Sequence, residues 1–387
     1  MRSVIVFFLL VQSSLLFAQA FEDVNTIGMI SAKPAAATHS DFTIIKMNQA
    51  TSVKNQSRTG TCWSFSTVSL VESQTIKNNL VALDLSEMFI VRNIYVEKAK
   101  NYILRQGHAQ FSEGGLGHDV ISAISVYGAV PESVYPGLKK QATHDHTILF
   151  KSLKKYLDST LKRRQNLPIN NDWLPCFNNI LDEYLGEIPR QFTYNGQKYT
   201  PQSFAKEVLK FNPDDYINIT SFTHHPYYTP FIIEVPDNFS NGSYYNLPLK
   251  EMIGVVKNAL TSGYTVMWDT DVSNEGFNLK VGMGLNMTVA TSRDSVFADK
   301  MEEGWDEKSR QLLFENLTTQ DDHLMHIIGI EKSKKGKDFF IVKNSYGITN
   351  SFEGLVNVSE AYFAMNTISI VVPKAALSKA MLDKLKN

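Results

Sequence analysis

Three side chains in this sequence have the types and settings that acyl transfer needs: Cys62, His323 and Asn344. A thiol attacks a carbonyl as the thiolate, and the aligned peptide dipoles at a helix N-terminus lower its pKa. In the run Gln56-Ser57-Arg58-Thr59-Gly60-Thr61-Cys62-Trp63-Ser64-Phe65-Ser66, a turn at Gly60 meets an apolar pattern (Phe65, Val68, Val71, Ile76) that predicts a helix starting at Cys62. Gln56, six positions earlier, can reach back with a side-chain N–H. Together with the Cys62 backbone N–H it would form an oxyanion hole. A lone cysteine is more often a buried structural residue. Here the flanking pattern and the partners downstream favour the nucleophile.

Those partners sit on a hairpin. Asp322-His323-Leu324-Met325-His326-Ile327-Ile328-Gly329-Ile330 reads as a strand, Lys332 to Lys337 as a charged turn, and Asp338 to Asn344 as the returning strand. Pairing Ile330 with Lys337 sets His323 opposite Asn344, so that the amide can orient the imidazole that serves the thiol. His326 is three positions from His323 and should point to the other face, which leaves it to packing or to the surface.

The elements that must carry these residues fall into two textures. A second helix is predicted from Ser86, as N-cap, to about Ile103, and a short one from His118 to Tyr127 after the turn Glu113-Gly114-Gly115-Leu116-Gly117. Ile148 to Lys162 and Asp172 to Leu185 are amphipathic, and Thr200-Pro201 opens another helix. Cys176, between Trp173 and Phe177, reads as a core residue. Beyond about residue 215 the pattern turns to strands: 229–235, 264–269, 324–330, 339–343, 354–358 and 367–372. Helices first and strands later predict an α+β chain. Residues 373–387 carry Leu377, Met381 and Leu385 at four-residue steps, a short helix or arm.

Composition narrows the function. The 387 residues are 43% hydrophobic and 20% charged, which is ordinary globular usage. Lys plus Arg number 38 against 39 Asp plus Glu, so no net field favours nucleic acid as a partner. Two cysteines are too few for a disulfide framework. His144, His146, His224 and His225 lack metal-ligand spacing, so no metal and no cofactor is expected. Met1-Arg2, an apolar run from Val4 to Phe17 and Ala18-Gln19-Ala20 have the order of a secretory signal cut after residue 20. The mature protein is then exported, to a periplasm or outside the cell, with no membrane attachment.

The segments QSRTGTCWSFS, DHLMHIIGI and KNSYG resemble those of the papain-like cysteine peptidases. SEGGLGHDVISAISVYGAVPESVYP, LGEIPRQFTYNGQKYTPQSFAKEVL and ISIVVPKAAL are similar to the bleomycin hydrolase and aminopeptidase C branch. The resemblance runs from about residue 45 to the end. It implies a two-lobed papain-like α+β fold with an enlarged helical insertion and a C-terminal arm. On that division, 21–40 is a lead-in and 41–387 the peptidase domain, with a helical lobe mainly at 55–215, a β lobe mainly at 216–372 and the arm at 373–387. The 261 positions between Cys62 and His323, against the ~130–150 usual for papain-type enzymes, agree with the insertion.

The resemblance implies Cys62 as nucleophile, His323 as base and acid, Asn344 as orienting group and Gln56 as oxyanion donor. Gly114 and Gly115, which by themselves fit an ordinary turn equally well, correspond to glycines that pair with an extended substrate. Asn387 would supply the carboxylate that holds a substrate amine. Thr59 replaces a cysteine that forms a disulfide in secreted papain-like enzymes, and Tyr346 replaces a shielding tryptophan. A cysteine aminopeptidase acting on peptides is therefore expected, with a hexamer as the branch's known assembly. An endopeptidase with an open cleft and an inactive papain-fold binding protein are the alternatives.

Overall fold

The computed structural model describes residues 27–30, 42–78, 81–139, 141–163, 171–287, 302–350 and 352–385. The signal at 1–20, most of the lead-in and Asn387 lie outside the described residues.

The chain opens with β1 (Phe42–Met47), then α1 (Cys62–Lys77), α2 (Glu87–Leu104), α3 (Gly117–Tyr127), α4 (Thr147–Arg163) and α5 (Leu174–Leu185). A hairpin of β2 (Phe192–Tyr194) and β3 (Gln197–Tyr199) leads into α6 (Pro201–Glu207). There follow β4 (Tyr216–Thr220), β5 (Pro230–Ile232), β6 (Ser243–Asn246), α7 (Leu249–Thr261), β7 (Val266–Thr270), β8 (Phe277–Asn278) and β9 (Met283–Gly284). The described chain closes with α8 (Glu307–Glu315), β10 (His323–Ser333), β11 (Asp338–Lys343), β12 (Leu355–Ser359), α9 (Glu360–Asn366), β13 (Thr367–Pro373) and α10 (Lys379–Lys384).

Local chemistry sets several of these boundaries. Ser86 Oγ accepts the Phe89 N–H at 3.0 Å and caps α2. Thr200 and Ser203 cap α6 reciprocally, with Pro201 in its first turn. Helix α1 begins at Cys62 with no side-chain cap, so no capping group competes for its first peptide N–H groups.

Among the described residues, eleven strands form one mixed sheet in the order β5-β6-β4-β13-β7-β10-β11-β12-β9-β8, with β1 pairing β10 off that path. Strand β10 pairs with β7 over His323–Ile327, with β11 over His326–Lys332 and with β1 over Gly329–Ser333. Buried on both faces, it reads as a near-continuous apolar run. The two-residue alternation divides the core. Met267, Leu324 and Val371 pack with Cys62 and the first five helices. Val266, Trp268, Met325, Ile370 and Val372 pack on the other face with α7 and α9. Helices α1 and α7 thus cover opposite faces of the central strands.

The C-terminal segment forms the expected short helix, α10. Met381, Leu382 and Leu385 join the α7 core, and Lys384 pairs with Glu251 at 2.9 Å. The described part of the arm therefore lies on the face opposite Cys62. Cys176 is exposed rather than buried; Trp173 and Phe177 fill the core beside it.

Candidate active site

Cys62 occupies the first position of α1 and is almost wholly buried. Its thiol lies against the backbone N–H groups of Trp63 and of Leu324. Leu324 is the neighbour of His323, so strand and helix bring the two sequence-distant segments together. His323 Nε2 donates to Asn344 Oδ1 at 2.8 Å, and the Ser345 N–H, at 2.7 Å, fixes the same oxygen as an acceptor. That arrangement leaves Nδ1 as the imidazole's lone-pair nitrogen. Tyr346 stacks on the ring, with centroids 4.8 Å apart and planes 12° from parallel, and its hydroxyl stands 3.2 Å from Nδ1. Asn344 and His323 are both buried, so their hydrogen bond is shielded from water.

The route to this contact differs from the one the sequence predicts. In the observed register Ile330 faces Phe340, not Lys337, and a bulge between Ile327 and Gly329 shifts the ladder again, to His326 opposite Lys343. The strand partner of His323 is Thr270 of β7. Asn344 reaches the imidazole from beyond the end of β11. The exclusion of His326 by strand face also needs correction. His326 shares its face with Leu324 and turns toward α1, where its Nδ1 meets Ser69 Oγ at 2.9 Å. Lys343 Nζ donates to the same hydroxyl at 2.8 Å. Contact with Asn344, not strand parity, sets His323 apart.

Gln56 is held from several sides. Its backbone N–H donates to Ser345 O, its Oε1 accepts from Ser345 Oγ at 2.6 Å, and its Nε2 donates to Thr59 O at 2.7 Å. One amide hydrogen remains for a ligand. Thr59 Oγ1 bonds Gln56 O at 2.9 Å and Thr61 Oγ1 at 2.5 Å, so hydrogen bonds tie this loop together. The glycine turn is fastened to the same loop. Trp63 Nε1 donates to Gly60 O and Glu113 O, and the Gly60 N–H donates to Glu113 Oε2. A Cβ at Gly115 would stand 3.1 Å from the Trp63 ring, and one at Gly114 would overlap the Asp237 carboxylate at 1.7 Å. Neither glycine has a positive φ, so close approach, of Asp237 at Gly114 and of Trp63 at Gly115, is what disfavours a side chain there. Ser345 and Glu113 escaped the sequence reading because their partners come from other segments; Trp63, beside Cys62, could have been found by its position.

Electrostatics run against one expectation. Burial pushes the Cys62 thiol up to about 12, the Asp321 and Asp269 carboxylates add to the rise, and the Leu324 and Trp63 N–H groups oppose it. A helix N-terminus is outweighed here by the loss of water. Burial likewise lowers His323, while Asn344 and Asp322 pull it back up. Burial thus disfavours the charged form of each group taken alone, so the charged pair is reached by passing the thiol proton to the imidazole.

Chain reversal also gathers His224, His225 and Glu234, which the sequence spacing did not group. Gln311 settles their chemistry. Its Oε1 accepts the Thr223 N–H, so its Nε2 donates to His224 Nδ1 at 2.9 Å. The His224 proton then sits on Nε2, facing Glu234 at 3.4 Å, and that nitrogen has no lone pair for a metal. The cluster is a hydrogen-bonded one.

Comparison with known proteins agrees with this geometry. The model of the Peptidase C1-like family matches residues 12–387. Aminopeptidase G of Lactobacillus delbrueckii subsp. lactis is 23% identical over 380 residues, covering 87% of this chain and 84% of that protein. Bleomycin hydrolase of Gallus gallus is 22% identical over 380 residues, covering 85% and 82%. The crystal structure of PepW from Lactobacillus rhamnosis superposes with a TM-score of 0.73 at 20% identity, over 97% of this chain and 91% of that one, and establishes the shared fold.

Proposed function

The chain belongs to the Peptidase C1-like family of papain-like cysteine peptidases, and we propose that it is an exported aminopeptidase that cleaves peptides through a Cys62 thioester. The contact between His323 and Asn344 beside the head of α1 carries this reading. His323 Nδ1 takes the Cys62 proton as sulfur attacks the scissile carbonyl, and the imidazolium then protonates the leaving amine. Water, activated by the same nitrogen, hydrolyses the thioester. Asn344 holds the ring by its other nitrogen. Gln56 and the Cys62 N–H receive the oxyanion, and the backbone of Gly114 and Gly115, whose Cβ positions are closed by Asp237 and Trp63, pairs with an extended substrate.

Gln56→Ala is expected to lower kcat by about 10²–10³-fold with little change in KM, because the lost donor acts on the developing oxyanion. Steady-state kinetics on one peptide series checks this. The pH profile follows from the His323 environment. Its pKa lies below the ordinary 6.5, so its neutral, proton-accepting form persists into more acidic solution. The acid limb of kcat/KM is therefore expected below pH 6.5, and a limb above 7 would contradict the assignment.

The aminopeptidase reading rests on the similarity to aminopeptidases over most of the chain. Hydrolysis of matched free and N-acetylated peptides, with and without a thiol alkylator, tests it: selective, alkylator-sensitive cleavage of the free peptides is expected. Equal cleavage of both would favour an endopeptidase. Export rests on residues 1–20, and secreted protein beginning at Phe21 would support it. Among the described residues no helix is long and apolar enough to cross a membrane. Sedimentation would test the hexamer that the resemblance implies.

A further inference from the structure

Two carboxyl groups beside the cleft take no part in the mechanism above. Asp269 on β7 is completely buried. It is paired across the ladder with Leu324, the residue whose N–H touches the Cys62 thiol. Directly paired residues share a sheet face, and Leu324 packs in the Cys62 core, so the Asp269 side chain projects to the Cys62 side. Its Oδ2 accepts from Ser369 Oγ at 3.0 Å. Its Oδ1 is buried with no hydrogen-bond donor. Asp321, two residues before His323, is partly exposed, yet its Oδ2 is likewise buried without a donor. The two carboxyls lie within hydrogen-bonding reach of each other.

A completely buried carboxylate oxygen without a donor is costly, and more so beside a second acid. Two arrangements relieve it: one proton shared between the pair, or one cation with N–H groups for both oxygens. The nearby basic group is engaged elsewhere. Lys98 Nζ donates to Gly114 O and to Ser112 Oγ. The other acids of the cleft have donors already. Asp237 Oδ1 accepts from Gln110 and Ser112, and Asp119 accepts from Ser240 Oγ and the Leu116 N–H. The site is therefore built at Asp269 and Asp321, one carboxyl completely buried on β7 and the other partly exposed just before the strand that carries His323.

We infer that Asp269 and Asp321 form an ammonium subsite that receives the free α-amine of the bound peptide. The inference rests on the aminopeptidase reading and deepens it. A primary ammonium supplies three N–H donors, enough for both orphan oxygens. As it enters, the shared proton leaves to solvent, so the net charge of the site is unchanged. The described C-terminal helix is docked on the opposite face of the sheet.

The test compares kcat/KM for a free-amine peptide, its N-acetylated form and an N-acetylated peptide with lysine as its first residue. Wild type, Asp269→Asn and Asp321→Asn are each measured, the more exposed Asp321 guarding against misfolding. The free-to-acetylated ratio is expected to fall at least tenfold in both variants, through KM. An unchanged ratio in both, whether turnover is retained or lost equally on both peptides, overturns the subsite. A loss confined to the acetylated lysine peptide overturns the α-amine assignment in favour of a side-chain amine. Failure of the underlying reading shows separately: wild type would then cleave free and acetylated peptides alike.

Discussion

Cys62→Ala is expected to reduce peptide hydrolysis by about 10⁴-fold or more, to the background left by binding and the oxyanion hole. The loss should fall on kcat, since the sulfur makes and breaks the bond while the substrate rests on other groups. The fold should survive, because the change removes one sulfur atom at the first position of a helix whose remaining buried residues are untouched. Cys176→Ala is the control. That cysteine is exposed on α5, and its removal should leave the rate as it was.

The second large effect separates two histidines that the sequence sets three residues apart. His323→Ala should cost on the order of 10⁴-fold in kcat, because it removes the group that takes the thiol proton and returns it to the leaving amine. His326→Ala should act differently. His326 is buried, bonded to Ser69 on α1, and lies opposite Lys343, which shares that hydroxyl. Its loss leaves Lys343 with one fewer neighbour in its hydrogen-bond chain and opens a small void. The cost should be roughly 1–3 kcal/mol of stability, seen as a lower melting temperature, with kcat changed far less. Thermal unfolding and kinetics on both variants give the comparison. If His326→Ala lost the greater part of kcat while His323→Ala did not, the base would be misassigned.

Signals confined to a few neighbouring residues were legible in the sequence. The start of α1 at Cys62, the Ser86 cap, the Thr200-Pro201 start of α6 and the strands around His323 all follow from local pattern, and the structure holds them. Of the elements missed, β1 lacks such a pattern. Strand β1 is separated by almost the whole chain from β10, which it pairs. Helices α7, α8 and α9 lie between strands in a stretch that read as β throughout. Helix α7 was nevertheless legible: Leu249, Met252, Ile253, Val256, Ala259 and Leu260 recur at helical spacing and form its buried side.

The hairpin shows the limit most clearly. The strands were found but their register was not, because β10 runs on to Ser333 and so places a shorter turn further along the chain, and a bulge before Gly329 moves the ladder again. The histidine–asparagine contact survived this error, since Asn344 lies past the end of β11 and its side chain makes up the difference. The Cys62 environment was read with the wrong sign. A helix N-terminus is visible in sequence, whereas burial of the thiol under Leu324 depends on the packing of two distant segments. The same holds for Asp269 and Asp321, which are far apart in sequence and meet only through the pairing of β7 with β10.

The most direct measurement of the central claim is titration with a peptide carrying an electrophilic epoxide, followed by mass spectrometry of the digested protein. Activity should fall in proportion to a single label, found on Cys62 and dependent on His323, with Cys176 unmodified by the same dose. Full labelling of Cys62 with peptide cleavage intact, or inactivation that tracks Cys176 instead, would contradict the account.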